Sequence, residues 1–160
     1  MEQSSISGVQ RPVLATVFIG LTVGLLDGAA AVISSFLRSG VTPDKVFRYI
    51  SSALLGKDAY SGDGGIIALG VFLHFVVAYI WGAIFFTAYP RVRLLQQNRW
   101  LVGCAYGLFV WLMMNFVVLR FTRTPQLKFS WEGAVVGWGI HMLCVGLPIV
   151  LITHYWYRRP

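Results

Sequence analysis

The chain has 160 residues, 57% of them hydrophobic and only 12% charged, with a formal net charge of +7. Soluble domains carry about 25% charged residues, so this composition excludes a water-solvated globular surface. The basic residues sit at the ends of apolar stretches, where Lys and Arg meet headgroups, and no separate basic stripe exists. The partner implied by the charge is therefore the lipid bilayer and not nucleic acid.

Four stretches, 13–37, 66–89, 100–119 and 133–157, each reach the ~20 residues needed to cross a ~30 Å hydrocarbon layer as a helix. They predict an all-α membrane protein: one integral domain over residues 1–160, built as a four-transmembrane-helix bundle. The short polar leader Met1–Arg11 is expected to be loose at its start. The first apolar stretch is too long for the core of a cleavable signal and carries Asp27, so it reads as a span. Pro12 suits the first turn of that helix, where its missing N–H is harmless. Gly20, Gly24 and Gly28 then recur at spacing four and form a smooth stripe for close helix approach. Packing within the one chain explains this stripe more simply than a homodimer; a homo-oligomer or a membrane-protein partner stays open.

Thr42-Pro43-Asp44 is a helix-start signal. The helix it opens, 43–55, is too short to span. Val46, Phe47, Ile50, Ala53 and Leu54 share its apolar face, and Lys45, Arg48, Ser51 and Ser52 the polar one. It is expected to lie in the interface between the first two spans or to tuck against the bundle. The glycine-rich 57–65 run reads as a flexible turn.

The short link 91–99 makes spans two and three antiparallel neighbours. Trp100, Trp131 and the Tyr155-Trp156-Tyr157 run mark interfaces. Span three carries Gly103 and Gly107 at spacing four, and span four carries Gly133 and Gly137. Pro148 lies inside span four and predicts a kink that releases the Cys144 carbonyl. Cys104 and Cys144 read as small apolar fillers, with no metal-binding spacing. Arg120 and Arg123 are placed to pair with Glu132 at the interface.

Four spans put both termini on one side. Arg11, Arg91, Arg93, Arg99, Arg158 and Arg159 face that side, against Arg38, Lys45, Arg48, Lys57, Arg120, Arg123 and Lys128 on the other. The two sets nearly balance. The second is diluted by Asp44, Asp58, Asp63 and Glu132, which favours termini in the cytoplasm.

Depth singles out a polar layer. Asp27, His74 and His141 lie eight to ten residues inside the ends of three spans on the side of the short helix, about 12–15 Å at ~1.5 Å per residue. Ionisable groups in a membrane are costly and tend to meet inside a bundle. Asn115, nearer its span end, is placed to cap the cluster. One reading is a hydrogen-bonded knot in which Asp27 accepts from an imidazole. A second is a proton- or ion-handling site. A third is a metal site from Asp27, His74 and His141, since two imidazoles and a carboxylate suit a divalent transition metal. A fourth is haem held by His74 and His141. No cofactor is required by any motif. Esterase, zinc-protease and phosphate-loop signatures are absent, so an enzyme is the less favoured class. The leading function is a small polytopic membrane protein, either a partner subunit or a modest ion or proton transport element. The alternative is a membrane redox or metal-binding protein.

The order of features resembles the small bacterial inner-membrane proteins of the YagU-like kind. The resemblance is carried by GLTVGLLDGAAAVISSFLR in span one, by LGVFLHFVVAYIWGAIF with its YPRVR exit in span two, and by GAVVGWGIHM in span four. It covers most of the chain and implies a bacterial inner membrane and no set reaction. The KVFRYISSALLG helix departs from that layout.

Overall fold

The computed structural model describes residues 2–126 and 129–158, with side chains described from Pro12 onward. Among them are six α-helices and no strand: α1 (Glu2–Ser39), α2 (Pro43–Leu55), α3 (Gly64–Ala88), α4 (Arg99–Phe116), α5 (Trp131–Ile140) and α6 (Leu147–Arg158). A π-helical segment, His141–Gly146, joins α5 to α6 into one rod. Four rods are long and apolar enough to cross a membrane: Pro12–Ser39, Gly64–Ala88, Arg99–Phe121 and Trp131–Arg158. Few of their residues are buried, and large side chains such as Leu25, Leu101 and Leu143 are well exposed. Such surfaces suit lipid and not water. The chain is a small polytopic membrane protein with an all-α, four-helix bundle fold.

α1 packs chiefly on α3, and α4 on the π segment and α6. The core lies between them and contains Ile19, Val23, Phe85, Val110, Val145 and Ile149. α3 and α4 meet through side chains: the Tyr106 hydroxyl donates to the Trp81 carbonyl at 2.8 Å, and Trp81 Nε1 points at Met114 Sδ at 3.4 Å.

Local chemistry explains where the helices begin. Asp63 caps α3 by accepting from Gly65 N–H, Asn98 caps α4 by accepting from Trp100 and Leu101, and Ser130 caps α5 by accepting from Gly133. Gly40, at φ +63°, lets the chain leave α1 and turn toward α2.

Several expectations need correction. α1 begins at Glu2, so Pro12 stands inside a continuous helix and not in its first turn, and the leader backbone is helical. Met1 and the side chains up to Arg11, with Lys128 and Arg159, lie outside the described residues. The 57–65 run is ordered by a 3-10 turn at Gly56–Tyr60. Glu132 pairs with Arg38 Nε at 3.1 Å, not with Arg120 or Arg123. Both partners are partly exposed, so the pair contributes little.

The short helix has its expected bounds and tucks onto α3, with its serines inward. Ser51 and Ser52 are fully buried, while Leu54 is exposed. The cause lies in α3. Gly70 has no side chain, and the Phe47 carbonyl and Ser51 Oγ occupy the space a Cβ would take. Ser51 donates to the Ile66 carbonyl and Ser52 to the Tyr49 carbonyl, so both hydroxyls are satisfied at close quarters.

Span four widens where a kink was expected. The Leu147 N–H bonds to the Met142 carbonyl, five residues back, and the wide turn closes just before Pro148. Gly103, Gly107 and Gly146 make room for it. A Cβ on Gly107 would meet the His141 carbonyl oxygen and Met142 Cα, and one on Gly146 would meet the backbone of Gly103 and Gly107.

Candidate functional site

α1 and α3 bring Asp27 and His74 together across the first glycine stripe. A Cβ on Gly20 would meet the Tyr79 ring, one on Gly24 the Phe75 ring, and one on Gly28 would stand 3.0 Å from His74 Nε2. Bare backbone there lets the imidazole reach the helix itself: His74 Nε2 lies 2.9 Å from the Gly24 carbonyl oxygen. A carbonyl only accepts, so Nε2 carries the hydrogen and Nδ1 is the basic nitrogen. Phe47 and Phe75 hold the ring edge-on at centroid distances of 6.5 and 5.8 Å.

His141 opens the π segment. Its Nδ1 lies 3.0 Å from the Gly137 carbonyl oxygen, one turn back. The same reasoning puts the hydrogen on Nδ1 and leaves Nε2 basic. π turns displace side chains from the regular helical face and recur at functional sites.

Two cavities meet at this layer. The inner one, about 120 Å³, is lined by Asp27, His74 and His141 with apolar neighbours including Val23, Trp81 and Met114. The outer one, about 1000 Å³, lies between α1, α2 and α3 and is again lined by Asp27 and His74. Its other walls carry Arg38, Asp44, Lys45, Arg48 and Tyr60 from the α2 side. The outer space thus reaches from charged residues at the rim to Asp27 and His74, and the inner space runs from that pair to His141.

The hydrogen bonding differs from a closed knot. Both imidazoles spend one nitrogen on a helix carbonyl, and neither is bonded to Asp27. Asp27 Oδ1 is buried and has no hydrogen-bond partner. Trp138 Nε1 and Thr153 Oγ1 are also buried and unpartnered among the described residues, but only Asp27 is ionisable. An orphaned buried polar atom costs about 1–3 kcal/mol, more when charged, so Oδ1 calls for a proton, a water or a cation.

Asn115 does not cap this cluster. Its Nδ2 donates to the Trp111 carbonyl at 2.9 Å, and it lines a separate cavity of about 320 Å³ with Tyr49, Arg120 and Ser130. The glycines divide as well. Gly103, Gly107 and Gly137 stand at helix contacts, the last under Trp111 Nε1, whereas Gly133 faces only its own cap Ser130 and the distant Arg38 head. Sequence reasoning missed the basic rim residues as part of the site, and missed the π turn. The Gly146-x-Pro148 spacing was its one visible trace.

Among the described residues no three His, Cys, Asp or Glu side chains are grouped so as to hold a metal ion. The inner cavity that both histidines line measures about 120 Å³. The cysteines are free thiols. Comparison of the chain with family models, with curated proteins and with solved structures gives no match.

Proposed function

We propose that this chain is a proton-handling element of a bacterial membrane, the inner membrane implied by its YagU-like layout, with its termini in the cytoplasm. One observation carries the reading. Asp27, with an unpartnered carboxyl oxygen, lines both the outer cavity and the inner one, together with His74.

The chemistry favours the proton over a metal cation. Arg38, Lys45 and Arg48 stand along the outer cavity against two acids, Asp44 at the rim and Asp27 at depth, and the net basic rim disfavours cations that diffuse as whole ions. A proton moves by exchange along waters and side chains. His74 Nδ1 and His141 Nε2 can each accept a proton without breaking the bond that fixes the ring. Asp27 takes the proton from the outer space, His74 shares it, and His141 receives it in the inner cavity.

The test is proton flux into proteoliposomes under a potassium-diffusion potential, followed with an internal pH dye. The Asp27→Asn protein is expected to fall to the leak of empty vesicles, and His74→Gln to slow by about tenfold, the factor set by ~1.4 kcal/mol. Circular dichroism checks that each variant is folded. Equal flux in wild type and Asp27→Asn defeats the proposal and leaves the partner-subunit reading. A stoichiometric metal or a Soret band in the purified protein favours the redox alternative.

A further inference from the structure

A second polar site lies at the opposite interface, where α3 and α6 end. A cavity of about 330 Å³ is lined by Tyr89, Pro90, Gln96, His154, Tyr157 and Arg158. Its walls are fixed. The Tyr89 and Tyr157 rings stack at 5.2 Å between centroids, the Tyr89 hydroxyl lies 2.8 Å from His154 Nδ1, Gln96 Nε2 donates to the Tyr89 carbonyl at 2.9 Å, and the Tyr157 hydroxyl donates to the Phe86 carbonyl at 3.1 Å. In the tautomer in which the Tyr89 hydroxyl donates to Nδ1, the neutral ring carries its hydrogen on Nε2, a second donor beside the Arg158 guanidinium.

The charge here is one-sided. Arg158 and Arg99 bear electrostatically on His154, and Arg91 on Tyr157. Among the described residues the only ion pairs are Arg38 with Glu132 and Arg48 with Asp44, both near the other interface. The acids whose side chains are described, Asp27, Asp44, Asp58, Asp63 and Glu132, lie toward that other side, and Glu2, at the start of α1, is the one further acid of the sequence. Part of the basic charge has a local use: Arg91 donates to the Thr87 carbonyl at the end of α3, and Arg99 lies over the Trp100 ring at 5.9 Å. Arg158, exposed in the last turn of α6, complements the helix dipole. A dipole alone does not call for a walled cavity beside the guanidinium.

We propose that this cavity holds the phosphate-bearing headgroup of an anionic phospholipid from the terminus-side leaflet, with Arg158 and His154 Nε2 as donors and the Tyr89–Tyr157 stack as its aromatic wall. The position fits: the lining residues follow α3 or close the last turn of α6, at headgroup level, where basic pockets between helices take acidic lipids. A charge-assisted bond from guanidinium to phosphate is the strong kind. The site is independent of the Asp27 layer, so the two readings stand or fall separately.

Native mass spectrometry of the full-length protein in neutral detergent tests it, with phosphatidylglycerol, phosphatidylcholine of the same acyl chains, and inorganic phosphate as probes. One equivalent of phosphatidylglycerol is expected to be retained about tenfold more tightly than phosphatidylcholine, a ~1.4 kcal/mol preference. Arg158→Gln and His154→Gln should each remove that preference, while Arg120→Gln, at the other interface, keeps it. Equal retention of the two lipids overturns the proposal, as does a preference that survives both variants. Displacement of phosphatidylglycerol by millimolar inorganic phosphate also overturns it, since the site would then serve a soluble anion.

Discussion

Two glycine seams hold this bundle, and they are built differently. In the α1–α3 seam, Gly20, Gly24 and Gly28 receive side chains: the rings of Tyr79 and Phe75 and the imidazole of His74. In the seam between α4 and the π segment, Gly107 and Gly146 receive backbone, while Gly103 beside them meets the side chain and Cα of Leu147. The spacing-four pattern reads alike in both. What differs is the compliance of the neighbour. A ring at the end of a side chain can swing, whereas a main-chain carbonyl moves only if its whole helix moves. The first seam is a socket for side chains, His74 among them, and the second is a clamp that keeps the widened turn of His141–Gly146 in place.

The largest effect that follows is for Gly107→Ala. The new methyl would meet the His141 carbonyl oxygen and would stand 2.6 Å from Met142 Cα. α4 must then part from the π segment, at about 3 kcal/mol or more, the upper range for overpacking. Unfolding by SDS in mixed micelles, followed by tryptophan fluorescence, should show a midpoint displaced far below wild type. A midpoint near wild type would show that the clamp yields, and the contrast between the seams would vanish. Gly20→Ala in the socket displaces only the Tyr79 ring, and the same titration should give about 1–2 kcal/mol.

This contrast was not legible in the sequence, and the reason is general. Periodicity and length report which residues are apolar and how far they run, so the four spans and the bounds of α2 follow from pattern alone. Counting residues from the span ends gives height in the membrane, and Asp27, His74 and His141, at matched heights, line one cavity. Height says nothing of azimuth. Asn115, four residues from its span end, turns back onto the Trp111 carbonyl and faces another space. Nor does a helical wheel know its neighbour: Ser51 and Ser52 are polar by type, but the bare backbone of Gly70 turns them inward. The Arg38–Glu132 pair joins residues 94 apart in sequence, where nearness along the chain favoured Arg120 and Arg123. The π turn packs on Gly107 of another helix, so span four alone, with its Gly146-x-Pro148 spacing, could mark an irregularity there but not its form.

Of the seam variants, Gly28→Ala is expected to change stability least, and it is the most telling for the socket. Its Cβ would lie 3.0 Å from His74 Nε2, so the imidazole must give by a few tenths of an ångström. Better helix propensity of Ala, about 1 kcal/mol over Gly, offsets the crowding, and the SDS midpoint should stay within about 1 kcal/mol of wild type. The displaced ring, however, is the one anchored 2.9 Å from the Gly24 carbonyl. Weakening that bond frees the ring to turn and loosens the assignment of Nδ1 as its basic nitrogen. Proton flux should therefore drop severalfold with stability nearly intact. Gly139→Ala is the matched control, because a Cβ there meets nothing within 4 Å; it should leave flux unchanged and stability equal or slightly higher. If Gly28→Ala behaves like Gly139→Ala in both measurements, the α1–α3 seam is packing alone, and the anchoring of His74 on α1 has no part in moving protons.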